Sequence, residues 1–428
     1  MSDGRILVNV SIVVHNAHHN INRYYTGDDT YNNVTMQALL FQTGPDGNYE
    51  PANQTRVEVK NLTLRSLLKT LTQFQGNDDQ AFWAFSVMSA AEFKFPNPPP
   101  GDYQWLALAQ AVFNRQAGRW DTHNCGGGLR WQFNPLNNGW TEKNTISNGC
   151  FFQLAARLAR YTGNDTYANW ANISYDWLVS SHLIGSDYSV YDSVGFTDTT
   201  CDTVPGQLQW SYNIGTMIAG SAFMYNYTNG SSLWGERLQG YLNHTQIVFF
   251  PSEYGGNTMM EYACEPPNTC NTDQRSFKAY LSRWLAVTTQ LAPFTTAQIT
   301  PWLRTSAEAA AKICTGNPNN PTCGRKWYVT TNDGLTDVGN QMSAMSIVQS
   351  NLISNLEPPV GVNTGGNSPG NPNAGEGEGT PSLPGIYTRL ITSGDVGGAW
   401  FIAVLCLIAT AVFAWFMISE DDHKTRWA

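Results

Sequence analysis

Apolar residues recur at helical spacing along most of the chain. Ile146, Cys150, Phe151, Leu154, Ala155 and Leu158 follow the four-and-three spacing of one helical face. Phe277, Tyr280, Leu281, Trp284 and Leu285 do the same, and so do Val338, Met342, Met345, Val348 and Leu352. Stretches with strand alternation are few, so the body reads as all-α. A recurring turn joins the helices. Arg23-Tyr-Tyr-Thr-Gly-Asp-Asp-Thr-Tyr-Asn-Asn33 is echoed by Arg160-Tyr-Thr-Gly-Asn-Asp-Thr-Tyr-Ala-Asn169, and Tyr225-Asn-Tyr-Thr-Asn-Gly-Ser-Ser232 is a looser third copy. In each close copy a helix ends at Thr-Gly, an Asx residue caps the next helix, and a Tyr enters its first turn. Repeated hairpins of this kind stack, and enough of them closed into a ring make an (α/α) toroid with apolar inner helices and a cleft between rim loops. An open solenoid, the alternative, asks for more regular repeats.

The pattern breaks near Leu356. Residues 357–385 are Pro, Gly, Asn and Ser without apolar periodicity, the composition of a flexible linker. From Val396 to Ile418 the chain is apolar and uncharged, long enough to span a bilayer, and a polar tail, 419–428, follows. A lipid-anchor signal normally ends with its apolar stretch, so a single-pass anchor is the expectation and a lipid anchor the alternative. Met1–Asn22 holds only Ile6–Val14, interrupted by Asn9 and Ser11, as a hydrophobic stretch, which is a poor secretory signal. An internal signal or a start lying upstream are the two readings, and the second is preferred.

Composition narrows the class. Of 428 residues only 13% are charged, against 15 Trp, 19 Tyr and 19 Phe, and the net charge is −9. Such a surface has little to attract phosphate, which argues against nucleic acid, and suits neutral polar ligands such as sugars. Asn-x-Ser/Thr sequons at Asn9, Asn33, Asn53, Asn61, Asn164, Asn172, Asn226, Asn229 and Asn243 indicate a lumenal or extracellular route. Cys264 with Cys270, and Cys314 with Cys323, bracket short loops and read as local disulfides. The pairing of Cys125, Cys150 and Cys201 stays open. No cysteine has the His or CxxC neighbours of a zinc site, so neither a metal nor a cofactor is expected.

Two acidic pairs invite chemistry. Asp28-Asp29 sits within the repeated turn, where capping accounts for it. Asp78-Asp79 opens Gly76-Asn-Asp-Asp-Gln-Ala-Phe-Trp-Ala-Phe85. One reading is structural, with Asn77 as cap and two acids favouring a helix N-terminus. The other is catalytic. The helix has no polar face, which makes it an inner helix whose first turn opens at the mouth of the ring, and Trp83 on the same side would raise a carboxyl pKa. Adjacent carboxyls there could flank one sugar linkage at the ~5–5.5 Å of a retaining mechanism. Further on, Trp120-Asp-Thr-His-Asn-Cys-Gly-Gly-Gly-Leu-Arg-Trp131 offers flat rings and Arg130 to a sugar, or else covers a core of Trp side chains. His123 reads as a loop histidine.

Asn77-Asp-Asp-Gln-Ala-Phe-Trp83, Cys125-Gly-Gly-Gly-Leu-Arg-Trp131, Asn144-Thr-Ile-Ser-Asn-Gly-Cys-Phe-Phe-Gln153 and Gln209-Trp-Ser-Tyr-Asn-Ile-Gly215 together resemble the fungal members of glycoside hydrolase family 76. Asp273–Trp284 and Val338–Ala344 extend the resemblance, which runs from about Tyr24 to Leu356. It implies an (α/α)6 barrel over 23–356 acting as a mannan endo-1,6-α-mannosidase or a cell-wall transglycosidase. Asp78 would be its nucleophile and Asp79 its acid/base. The implied partners are α-1,6-mannan or a mannose-containing glycan, with β-glucan as a possible acceptor, at the cell surface and with the membrane reached through the C-terminal segment. From motif membership, Trp83, Arg130, Trp131, Asn148, Tyr212 and Asn213 are the candidates for holding sugar. The resemblance fails at two places. Met1–Asn22 replaces the family's first helix, which leaves that helix incomplete, and Val59–Gln75 is an insert ahead of the catalytic turn with the borders of a retained intron. Messenger reads across 59–75 would decide its origin. If the altered N-terminus abolishes chemistry, a non-catalytic mannan-binding wall protein is the alternative.

Overall fold

The computed structural model describes residues 76–197, 199–202, 207–316 and 322–375, together with parts of 400–410. The 1–22 segment, the first copy of the turn, Asp28-Asp29, the 59–75 insert, residues 376–385 and most of 396–418 and 419–428 lie outside the described residues. Residues 1–376 and 377–428 form separate units. Among the described residues no helix is long and apolar enough to cross a membrane.

Nine α-helices are described in the first unit: α1 Asn77–Glu92, α2 Trp105–Gly118, α3 Thr145–Thr162, α4 Asp165–Ser180, α5 Ser211–Tyr227, α6 Ser232–Phe249, α7 Phe277–Leu291, α8 Thr296–Lys312 and α9 Val338–Ser350. Their burial alternates. The odd-numbered helices are enclosed on nearly every side, and the even-numbered ones bury a single face. The apolar stripes read from the sequence therefore understate the burial of the inner helices. In α3, Ser147, Asn148, Gln153 and Arg157 are enclosed along with the apolar residues. Neighbouring inner helices pack on one another (α1 on α3, α3 on α5, α5 on α7, α7 on α9), and each outer helix backs its predecessor or successor. This is the inner and outer layering of an (α/α) toroid.

The repeated turn forms as its chemistry dictates. α3 ends at Gly163, whose φ of 71° suits a residue without Cβ, and the Gly163 N–H returns to Ala159 O. Asn164 then caps α4 by accepting from Thr166 N at 2.9 Å. The looser copy also turns between helices, from α5 to α6 through Gly230 at φ 89°. These turns close one end of the ring. At the other end long loops join outer to inner helices, and three short antiparallel strands, β1 Glu142–Asn144, β2 Ser193–Thr197 and β3 Thr200–Cys201, brace them. Glu142 lies opposite Gly195, and Phe196 opposite Cys201.

Both local disulfides are present, and Cys125 pairs with Cys201, fastening the Gly-rich loop to β3. Cys150 is free and buried in α3. The expected 357–385 linker needs correction over its first part. Residues 360–374 run as a strap from the closed end of the ring along α2. Val360 N donates to Glu92 O, Ser368 N to the Tyr161 hydroxyl, Asn371 N to Gln110 Oε1, and Asn114 Nδ2 to Pro372 O and Ala374 O. Composition misled here because backbone groups make these bonds, and they need no apolar periodicity.

Candidate active site

The first turn of α1 is fastened from several directions. Gly76 pairs with Gln132 across an antiparallel bridge, and Asn77 N donates to Trp131 O at 3.0 Å. Asn77 does not cap the helix as expected. Gly76 is the N-cap, and the Asn77 side chain instead donates to Arg130 O (2.7 Å) and accepts from Arg119 Nε (2.9 Å). Gln116 Nε2 donates to Asn77 O (2.6 Å), and Arg119 also reaches Gln80 Oε1. The backbone beneath the two aspartates is thus held by α2 and by the 130–132 segment.

Asp78 and Asp79 occupy that turn, both half-buried. Asp78 Oδ1 accepts from Asp79 N (3.0 Å) and Asp78 Oδ2 from Trp131 Nε1 (3.0 Å), while Asp79 takes a bond from the Gly76 backbone. A Cβ added at Gly76 would stand within 2.5 Å of one oxygen of each carboxyl. The two oxygens therefore lie within about twice that distance, 5 Å, of each other. That upper limit lies below the ~6.5–9.5 Å of an inverting pair. It also explains why position 76 must lack a side chain.

Burial, then the charge of Asp79, pushes Asp78 well above the usual carboxylate range, against the pull of its two donors. Burial, then Asp273, pushes Asp79 up to about 6. Two interacting carboxyls share their protons as a pair, and a pair holding one proton provides an acid and a nucleophile together. Tyr212 stands near them, its ring stacked on Phe277 (3.7 Å between centroids) and its phenol raised by burial, then by Asp192 and Asp78.

Of the six residues expected to hold sugar, the structure brings Trp131 and Tyr212 to the aspartates and turns the other four to support. Trp83 is 1% exposed and belongs to the core. Asn148 is fully enclosed; its Oδ1 accepts from Leu129 N and its Nδ2 donates to Leu129 O and Asn144 O, so it holds the Gly-rich loop to α3. Asn213, also enclosed, donates to Asp192 Oδ1 (2.9 Å). Arg130 is spent on Asp121, Asn124 and Trp140 O, and lies between the rings of Trp140 and Phe196. The four belong to segments that pack close to the aspartate turn, with their side chains held within the protein. The core reading of the Trp loop holds for Trp120, which packs edge-on against Trp170 and Trp177, while Gly127 and Gly128 leave no room for a Cβ beside Trp177. His123 lies exposed on the loop.

Several residues escaped the sequence reading. Lys143, fully buried, donates to the carbonyls of Asp121, Asn124 and Gly127 and so gathers the Gly-rich loop. Its pattern signal was that of an ordinary polar residue. Asp192 follows no periodicity. Asp273 had a signal, since it stands at the start of an inner helix, where the mouth of the ring must be. Among the described residues no group of three His, Cys, Asp or Glu is placed to hold a metal ion.

A toroid with two adjacent carboxyls of raised pKa at its mouth defines a candidate for two-carboxylate glycosidic chemistry. Comparison with known proteins agrees. The glycosyl hydrolase family 76 profile matches residues 21–363, and the chain belongs to that family. It is 45% identical over 397 residues to mannan endo-1,6-alpha-mannosidase DCW1 of Candida glabrata, covering 92% of this chain and 83% of that one. Dfg5 from Chaetomium thermophilum, crystallised with glucosamine, superposes with a TM-score of 0.67 at 41% identity, covering 86% of this chain and 85% of that one. A Salegentibacter α-1,6-mannanase, inactivated by replacing two adjacent aspartates with asparagine and bound to α-1,6-mannotriose, shares the fold (TM-score 0.63, 16% identity, 80% and 99% covered).

Proposed function

We propose that the chain is a retaining, endo-acting mannan endo-1,6-α-mannosidase of the cell wall, or a transglycosidase working through the same intermediate. The observation that carries this reading is the approach of the Asp78 and Asp79 oxygens to within about 5 Å at the mouth of the ring. Asp78 attacks the anomeric carbon of a mannose, the bond from that carbon to the bridging oxygen breaks, and Asp79 gives its proton to the departing oxygen. Asp79 then takes a proton from water or from an acceptor hydroxyl, whose oxygen attacks the same carbon and releases Asp78. Water gives hydrolysis; a hydroxyl of a glycan such as β-glucan gives transfer. The division of roles is supported by the two donors on Asp78, which suit a carboxylate, while burial raises both groups and leaves the pair one proton to share, which Asp79 carries when Asp78 attacks. Tyr212 is the side chain we assign to the reacting sugar. The reading includes a ring of six helical pairs, an extracellular domain, which the sequons and disulfides support, and an anchor through 396–418, which the apolar character of that stretch supports.

The test uses α-1,6-mannan with Asp78→Asn and Asp79→Asn. Both variants are expected to lose turnover on mannan. Asp79→Asn, but not Asp78→Asn, is expected to cleave an α-1,6-mannobiosyl fluoride, whose leaving group needs no acid. The first-formed product should keep the α configuration. Full turnover by either variant on mannan overturns the mechanism, and binding of mannan by the parent chain without turnover or transfer returns the protein to the mannan-binding alternative.

A further inference from the structure

The side chain that meets the Asp78 carboxylate most directly is the indole of Trp131, and the structure treats that indole as part of the framework. Its backbone is locked on both sides: Trp131 N donates to Glu142 O at 2.8 Å, and Trp131 O accepts from Asn77 N at 3.0 Å. Its ring is pressed from behind by Gly139, which stands at φ 90°. A Cβ there would come within 2.9 and 3.0 Å of Cζ3 and Cδ2 of the indole. Ring and carboxylate are thus carried on two paired stretches of backbone, 76–77 and 131–132, in fixed register. An aromatic surface meant for stacking on a sugar needs an open face and no particular bearing on a carboxyl. This ring gives one face to Gly139 and aims its only polar atom, Nε1, at Asp78 Oδ2.

We propose that Trp131 is a positioning residue that fixes the plane of the Asp78 carboxylate and stabilises its anion. The Asp79 N–H holds Oδ1 and the indole N–H holds Oδ2, so the group cannot rotate about its Cβ–Cγ bond without losing both bonds. The indole bond matters unequally in the two halves of the reaction. When Asp78 attacks, its charge is lost into an ester and the bond weakens. When the ester is broken, the charge returns to Asp78, and the indole stabilises the departing carboxylate. Gly139 keeps the ring in place for this.

The inference rests on Asp78 as the nucleophile. Trp131→Phe keeps an aromatic ring and removes the donor. The expected result is a kcat lowered about 10- to 100-fold, the size of one hydrogen bond to a charged group. KM should fall along with kcat, because release from the covalent intermediate becomes slow and the mannosyl-enzyme accumulates, visible by mass spectrometry after quenching. The acidic limb of the kcat/KM profile should move to higher pH, since the free Asp78 anion has lost a donor. Gly139→Ala, which pushes on the ring without removing its N–H, should give the same signature with smaller size. Melting temperature and mannotriose binding of both variants separate this from misfolding. A raised KM with unchanged kcat would make Trp131 a sugar contact and overturn the proposal, as would an unmoved pH profile in a folded variant. If Asp78→Asn itself keeps full turnover, the underlying mechanism falls instead, so the two failures are distinguishable.

Discussion

At its C-terminal end α1 buries Glu92, 2% exposed, against Arg157 of α3, with two bonds of 3.2 and 2.6 Å from one guanidinium. At its N-terminal end, about fourteen residues and ~21 Å away, the same helix sets Asp78 and Asp79 into the protein with no cationic partner among the described residues. Their compensation consists of backbone N–H groups, one indole and the positive end of a helix. A buried carboxyl answered by a guanidinium is spent on the fold. Carboxyls answered only by dipoles keep a raised pKa, as Asp79 does at about 6, and stay available for proton transfer and attack. The surroundings follow the same division. Short turns and the strap close the Glu92 end, while long loops braced by a disulfide and a small sheet build the aspartate end.

The largest effect should come from removing the charge at the open end. Asp78→Asn is expected to lower turnover on α-1,6-mannan by at least about a thousandfold while the fold gains stability. The sign follows from linkage. A carboxyl whose folded pKa lies above its unfolded value costs stability once pH exceeds the unfolded value, so an amide that cannot ionise removes that cost. The gain should be seen in urea unfolding at pH 7 and vanish near pH 4. A variant that is both inactive and less stable at pH 7 would show that Asp78 serves the fold as Glu92 does.

The converse substitution is Arg157→Met. It leaves Glu92 buried without its cation, and the expected cost is about 3–5 kcal/mol in urea unfolding at pH 7. Turnover per folded molecule should stay near that of the parent when assayed well below the melting temperature, because Arg157 is at the far end of α1 from the aspartates. A specific loss of kcat in the folded variant would break the separation of the two ends.

Glu261 sharpens the comparison, because it is buried at the open end but acts on the backbone. It takes Ser211 N (3.0 Å) and the Ser211 hydroxyl, and so closes the N-terminus of α5, the helix that carries Tyr212. The nearby Lys278 is paired with Glu265 at 2.6 Å. Burial pushes Glu261 up to about 8. As this lies above its ordinary value of 4.5, stability should fall as pH rises from about 4.5 to about 8 and then level off. Glu261→Gln should flatten that slope, with a difference on the order of 5 kcal/mol at pH 8.5, measured by unfolding at a series of pH values. An unchanged slope would assign the pH dependence to other groups.

The helical layering and the aspartate pair were legible in the sequence for a physical reason: both are local. Periodicity reports which faces are buried, the Thr-Gly-Asn turn at 162–164 reports where a helix must stop, and two acids ahead of Phe82, Trp83 and Phe85 report an inner helix with a charged mouth. What stayed hidden depends on distant partners. Nothing around Asn148 says that its amide will close on Leu129, and nothing around Arg130 says that its guanidinium will be spent between Trp140 and Phe196. Motifs identify the segments that form a site, but whether a side chain faces the cleft or braces it is decided by segments far away in the chain. The strap failed for a related reason: a Pro/Gly-rich stretch is flexible only if no neighbour offers its backbone hydrogen bonds.

That strap supplies the smallest of the expected effects and the clearest mark of the closed end as a structural one. α2 begins without a side-chain cap of its own, Gln104 making none. The missing partner comes from 262 positions later in the chain: Ser368 Oγ accepts from Leu106 N at 3.1 Å. Ser368→Ala removes that acceptor and leaves the strap backbone able to keep its bond to the Tyr161 hydroxyl, so the cost should be that of a lost cap, about 0.5–2 kcal/mol. Chemical unfolding at pH 7 measures it, and kcat on α-1,6-mannan should be unchanged, since α2 reaches the aspartate turn from its other end, through Gln116 and Arg119. Were Ser368→Ala to cost nothing, the strap would lie on the ring without holding it, and residues 360–374 would revert to the spacer that their composition suggests.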